Sequence, residues 1–462
     1  MTGSTSAFSR WSAALDVDAL PDDVVEIVLR HTLDAVGAIV VGSRRAWTAA
    51  ARDYADTESP DGDAIVPLLG RRLRPEWAAF VNGTAAHGFE IDDYALPGLS
   101  HPGSVVVPTA LALAEHHHQN GRDLIAALAA GFETTVRFGE ACTPSLTSDR
   151  GFHVTSALGV FGAAAVAANL GRLGEDQSLA AFGIAASHAS GTSEFTRTGG
   201  DIKRLHAGMA AAAGIRSASL AARGLTGPSA AIEGERGFLR AFVERPRPDA
   251  LTDALGTRWA LRGLALKRWC VCAGLQAPLA ALDAILSEGD VSTGPGHDDI
   301  VRVTVGVDRA TLAHVGHIGG SPRDMTEAQM SVHHAIAMRL VAGGNDPEHY
   351  RLFEEGLAVS SVAERVELRI DEESERLFPD RLVAEVSVET PRGTVTRRAE
   401  APGTRENPLS LEATRAKFRA LCVPIIGEAA SEGIIAAVDA LPGGAHAGRL
   451  LAPLATMKEA TA

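Results

Sequence analysis

The sequence predicts a mainly α protein with an inserted α+β lid. Three observations predict it. Long apolar stretches rich in Ala and Gly recur at helical spacing over the first half of the chain. Period-two alternation is confined to a middle region. The helical pattern then returns near the C-terminus. The expected organisation is a large helical domain built from residues 1–264 and 403–462, with residues 265–402 inserted as the α+β lid domain. At 462 residues the chain is too long for one ordinary core.

The elements follow in order. Pro21-Asp-Asp opens a helix, with proline and acids at the positive end of its dipole. Val24, Val28, Ala35 and Ile39 continue it near helical spacing. Leu124, Ile125, Leu128, Phe132 and Val136 mark a second helix. Ala157 to Leu170 and Gly208 to Ala222 are small-residue helices whose backbones can approach closely, so they belong at the centre of a bundle. From Ile300 to Val307 the chain alternates as a half-buried strand does, and so does Arg365 to Ile370. Leu382 to Thr390 and Thr394 to Arg398 form a hairpin through Pro391-Arg-Gly393. Thr326 to Val341 reads as one helix between the first two strands. Pro408-Leu-Ser precedes a last helix from Leu411 to Leu421. Ser287 to Asp299 is the loop-rich segment.

Composition excludes several functions. The net charge of -14 argues against an extended nucleic-acid surface. The four cysteines are too few for a disulfide framework, and Cys270 and Cys272 lack zinc-ligand spacing. His116, His117 and His118 are consecutive at a helix end and point in different directions, so no metal site is expected. No Gly-rich nucleotide loop stands between a strand and a helix. The polar N-terminus has no signal-peptide core, and the longest apolar run falls short of the roughly 20 residues of a membrane span. A soluble cytoplasmic protein without membrane or nucleic-acid partners is the expectation.

The densest chemistry lies in Asn82-Gly-Thr-Ala-Ala-His-Gly-Phe-Glu-Ile-Asp-Asp-Tyr94 and Ser100-His-Pro-Gly-Ser104. Imidazoles and carboxylates carry protons near neutral pH. His101 sits in a turn that fixes its ring, and His153 opens a helix in Gly-Phe-His. The two suit a shared pocket. Asp92 or Asp93 can accept a proton or orient a histidine. His87 is read as supporting them, and His206 as equally suited to packing. Lys203 and Lys267 are candidate carboxylate binders, because an anionic substrate needs fixed positive charge in a dry pocket.

With these motifs the chain resembles the MmgE/PrpD family, which includes 2-methylcitrate dehydratase, cis-aconitate decarboxylase and iminodisuccinate epimerase. The resemblance adds Lys203-Arg-Leu-His-Ala-Gly, Leu225-Thr-Gly-Pro, Glu233-Gly, Lys267-Arg-Trp-Cys and Asn407-Pro-Leu-Ser with Lys417-Phe. It implies a cofactor-free, metal-free homodimer acting on a small carboxylate or carbonyl compound by proton transfer next to that group. By implication His101, His153, Asp92, Asp93 and Tyr94 are catalytic, and Lys203, Lys267, Glu90 and Gln276 bind substrate. The family often has Asp at the place of Glu90, Thr or His at Tyr94, and His at Gln276. These departures speak against the commonest tricarboxylate substrate. Dehydration is the leading expectation. Decarboxylation, epimerisation, a dehydration/Michael-addition cyclase in specialised metabolism, and a non-catalytic binding protein are the alternatives.

Overall fold

The computed structural model describes residues 3–96, 98–289 and 299–455. The chain is mainly helical with a smaller α+β part. It divides into two compact units. The first comprises residues up to Ser193, Ile202–Leu264 and Ser410 onward, and the second comprises Glu194–Asp201 with Ala265–Leu409.

The first unit is a helical body. Helix Asp22–Gly42 starts after Pro21 and carries Asp22 and Asp23 in its first turn, where the dipole favours them. Helix Gly121–Cys142 starts at Asn120, whose side chain accepts the N–H groups of Arg122 and Asp123. Helices Pro75–His87, Val154–Leu170 and Ile202–Ala222 form the centre. Their small residues let them meet backbone to backbone. A Cβ on Gly208 would stand 2.1 Å from the Phe80 carbonyl oxygen, and one on Gly162 would stand 2.1 Å from the Thr135 hydroxyl. That spacing brings the first turn of Ile202–Ala222, with Lys203 and Arg204, down among buried residues. Among the described residues, no helix is long and apolar enough to cross a membrane.

Helix Ile202–Ala222 leaves one narrow stripe uncovered. Ile202, Met209, Arg216 and Leu220 are exposed, at spacings that keep them on one face, and nearly every other position in its interior is buried or partly so.

In the second unit the strands form a four-stranded sheet. Strand Arg302–Val307 pairs in parallel with Val366–Ile370 and antiparallel with Val383–Thr390, which forms a hairpin with Gly393–Glu400. Val303, Val305 and Val307 are buried, as the alternation requires, and helix Gln276–Ser287 packs on the hairpin strands. One expected element is divided. Thr326 to Val341 breaks at Ser331, which adopts an extended conformation and whose hydroxyl caps the His334 N–H, giving Met325–Met330 and Val332–Val341. The sequence period runs through the break because a capping serine leaves the helical spacing on either side intact. Within Ser287 to Asp299, residues 290–298 lie outside the described residues.

Close helix contact at Gly208 has a measurable cost when it is filled. Gly208→Ala should lose about 1–3 kcal/mol in urea unfolding, the usual range for overpacking. Gly443→Ala, with no atom within 4 Å of the added carbon, should stay within about 0.5 kcal/mol of wild type.

Candidate active site

The acid loop leaves helix Pro75–His87 and enters helix Gly103–His116. Its three carboxylates are buried, and each is met by donors from surrounding helices. Glu90 sits in the left-handed backbone region, at φ 55°, which costs a residue with a side chain about 1–2 kcal/mol. One of its carboxylate oxygens accepts from Lys203 Nζ and, at 3.2 Å, from Arg204. Two cations therefore share one carboxylate oxygen. Lys203 and Glu90, read from the sequence as separate contacts, form a pair.

The two aspartates have different surroundings. Asp92 Oδ2 accepts from His87 Nδ1 at 2.7 Å and from the Ser104 hydroxyl at 2.5 Å, with His101 Nδ1 at 3.4 Å. Asp93 Oδ2 accepts from His31 Nδ1 at 2.8 Å, and its Oδ1 accepts the Gly103 N–H at 2.8 Å. Gly103 must be glycine for this contact, since a Cβ there would stand 2.8 Å from the carboxylate. The Asp93 carbonyl accepts from His101 Nδ1 at 2.7 Å. A carbonyl can only accept, so Nδ1 of His101 carries the proton and Nε2 is the basic nitrogen. Beside the loop, Lys417 Nζ donates to Asp34 at 2.5 Å and to the Ile91 carbonyl at 3.2 Å. Burial raises the Asp34 carboxyl above its ordinary range, opposed by Lys417.

Besides His31, four imidazoles cluster ring to ring at this loop. The His87 ring lies 4.9 Å from His101 and stacks on His153 at 5.5 Å, centroid to centroid. His153 Nδ1 meets His206 Nδ1 at 2.9 Å, so one donates and the other accepts. His153 stands at the N-cap of helix Val154–Leu170, in extended conformation, without capping it through its side chain. Burial holds the His87 imidazole well below its ordinary range, against the pull of Asp92, and His101 and Lys203 push it further down. Burial, followed by the charge of Lys203, brings His206 down to about 4. Both rings are therefore neutral near pH 7. A ring held as His101 is can take or give a proton at Nε2 with no change of orientation.

Tyr94 is fully buried in the same loop. Lys267 and Gln276 belong to the second unit, where both are buried. The Gln276 amide is spent on backbone. It accepts from the N–H groups of Arg268 and Trp269 and donates to the carbonyls of Trp269 and Val271. It thus fastens the turn after Lys267. Sequence reasoning missed His31, Arg204 and the Asp34–Lys417 pair. His31 is a lone histidine on a helix face, without local signal. Lys417 lies in a quoted motif, but its partner is hundreds of residues away.

A metal would have one place to go among the described residues. His87, Asp92 and His101 present donor atoms within 4.8 Å of one another. The Nδ1 atoms of both histidines are engaged in the 2.7 Å hydrogen bonds given above. A cation bound through those Nδ1 atoms would have to replace their protons. His116, in the consecutive histidine run, instead meets Asp63 at 3.0 Å in an exposed position.

Comparison with known proteins gives matches over most of the chain. Residues 6–251 match the MmgE/PrpD N-terminal domain, and residues 269–442 match the MmgE/PrpD C-terminal domain. A cis-aconitate decarboxylase-like protein of Aspergillus oryzae is 29% identical over 73% of each chain. The cis-aconitate decarboxylase of Aspergillus terreus is 26% identical over 92% of this chain and 91% of its own. That of Mus musculus is 28% identical over 95% and 90%.

The neutral His206 ring sets a pH dependence. Its folded pKa lies below the ordinary 6.5, so the unfolded chain takes the proton first as pH falls. The stability is complete above about pH 6.5 and is lost toward pH 4. Between these limits, urea unfolding should show wild type losing up to about 1.4 kcal/mol more per pH unit than His206→Gln.

Proposed function

The chain belongs to the MmgE/PrpD family, and from that premise we propose that it is a lyase releasing carbon dioxide from a small unsaturated polycarboxylate of the cis-aconitate type. The observation that carries the reading is the fixed tautomer of His101. Its Nδ1–H is held by the Asp93 carbonyl, next to a buried cluster bearing Lys203 and Arg204. The names of the relatives supply the reaction to test first.

Breaking a carbon–carboxylate bond leaves its electron pair on the carbon skeleton. That pair must be spread toward a neighbouring double bond or carboxylate and then met by a proton. In this reading Lys203 and Arg204 supply the positive field and His101 Nε2 carries the proton. Asp92 and Asp93 orient the rings, and Tyr94 closes the loop side.

Dehydration is the second reading. It needs a second proton carrier for the departing hydroxyl, and the 2.9 Å contact of His153 with His206 offers one. The purified chain in D2O, given cis-aconitate and separately hydroxylated tricarboxylates, separates the two. Released CO2 with deuterium on a product carbon supports decarboxylation. Water loss without CO2 supports dehydration. Failure of every polycarboxylate removes both. His101→Asn should lower kcat by about 100-fold or more. Lys203→Met should cost about 2–5 kcal/mol in kcat/KM with the fold retained. The rate should survive EDTA. Loss to EDTA with restoration by a divalent cation would place a metal at His87, Asp92 and His101.

The exposed stripe on helix Ile202–Ala222 supports self-association. A twofold pairing of two such helices would cover Ile202, Met209 and Leu220 of each subunit. Met209→Glu should convert a dimer in sedimentation analysis to a monomer. A dimer unchanged by it places the interface elsewhere.

A further inference from the structure

Asp93 is held from both ends. Its carboxylate takes the Nδ1–H of His31 and the N–H of Gly103, each at 2.8 Å, while its own carbonyl takes the Nδ1–H of His101 at 2.7 Å. All three side chains are buried. His31 comes from the middle of helix Asp22–Gly42. The Phe132 ring packs edge-on against it at 5.9 Å and fixes its plane. One turn further on, Asp34 binds Lys417, which also holds the Ile91 carbonyl. The helix face that presents His31 is therefore rigid with respect to the loop.

A buried carboxylate deprived of a donor takes another one within reach. For Asp93 such a move carries its backbone carbonyl, which holds the His101 Nδ1–H at 2.7 Å. Without that acceptor neither ring nitrogen of His101 is fixed as the protonated one. His31 prevents the move by satisfying Oδ2.

We propose that His31 is a positioning residue for proton transfer at His101, holding the Asp93 carboxylate so that the Asp93 carbonyl stays on the His101 Nδ1–H and fixes its tautomer. This rests on the reading of His101 as the proton carrier. Misplacing a reacting group by about an ångström costs on the order of 100-fold in rate, so the effect falls on kcat and leaves KM close to its original value.

The test uses the full chain labelled with 15N-histidine, with His101→Asn to assign the His101 signals. His31→Asn places an amide N–H where Nδ1 stands. His31→Gln carries the amide to the place of Nε2, and His31→Leu removes it. Wild type and His31→Asn should show His101 as a single Nδ1–H tautomer, with similar kcat for CO2 release. His31→Leu and His31→Gln should show a mixture of tautomers and a kcat lower by about 10–100-fold, with KM within about twofold. A folded His31→Leu with the wild-type tautomer overturns the proposal. So does a His31→Asn no better than His31→Gln, a contrast that decides the matter even if His31→Leu does not fold. The tautomer is read without substrate. A changed tautomer in a chain that acts on no polycarboxylate keeps the assignment of His31 and removes the decarboxylation reading. An active chain whose tautomer ignores His31 does the reverse.

Discussion

Three carboxylates of one loop are taken out of water, and a buried carboxylate is tolerable only if donors meet it. Glu90, Asp92 and Asp93 draw those donors from helices Ile202–Ala222, Pro75–His87, Asp22–Gly42 and Gly103–His116. The shape of the loop is therefore set by the helix ends around it. Those ends can converge only because the helices are built from Ala and Gly. The backbone contact of Gly208 with Phe80 brings the first turn bearing Lys203 and Arg204 within reach of Glu90. Core packing and site geometry are one constraint here.

The cluster also limits its own charge. Several imidazoles within stacking distance could not all be protonated beside Lys203 and Arg204. Burial and the lysine hold His87 and His206 neutral. Each neutral ring then has one N–H and one lone pair. The hydrogen bond at Nδ1 decides which nitrogen is which, and Asp92 makes that choice for His87 as the Asp93 carbonyl does for His101.

Much of this is legible in the sequence, for physical reasons. Ala157 to Leu170 and Gly208 to Ala222 read as close-packed helices because only small side chains permit that approach. Ile300 to Val307 and the hairpin through Pro391 and Arg392 read from alternation and turn chemistry. The acid loop stood out by its density of proton carriers. What stayed hidden was pairing. Periodicity tells which face of Asp22–Gly42 is buried, but not that His31 on it meets Asp93. Lys203 and Glu90 were each legible as charged residues near a site, while their contact was not. Gln276 was read by its difference from histidine, and only the backbone groups around it reveal that its amide fastens the turn after Lys267.

The contact of Lys417 with Asp34 and with the Ile91 carbonyl joins residues from opposite ends of the chain. The ribosome makes the acid loop early and its fastening cation late. Until residue 417 emerges, the nascent chain has the proton carriers without the tie that holds Ile91 beside helix Asp22–Gly42. Completion of this tie thus waits on synthesis of the last helices, and a prematurely terminated chain lacking them would carry the loop residues without the cation that holds Ile91.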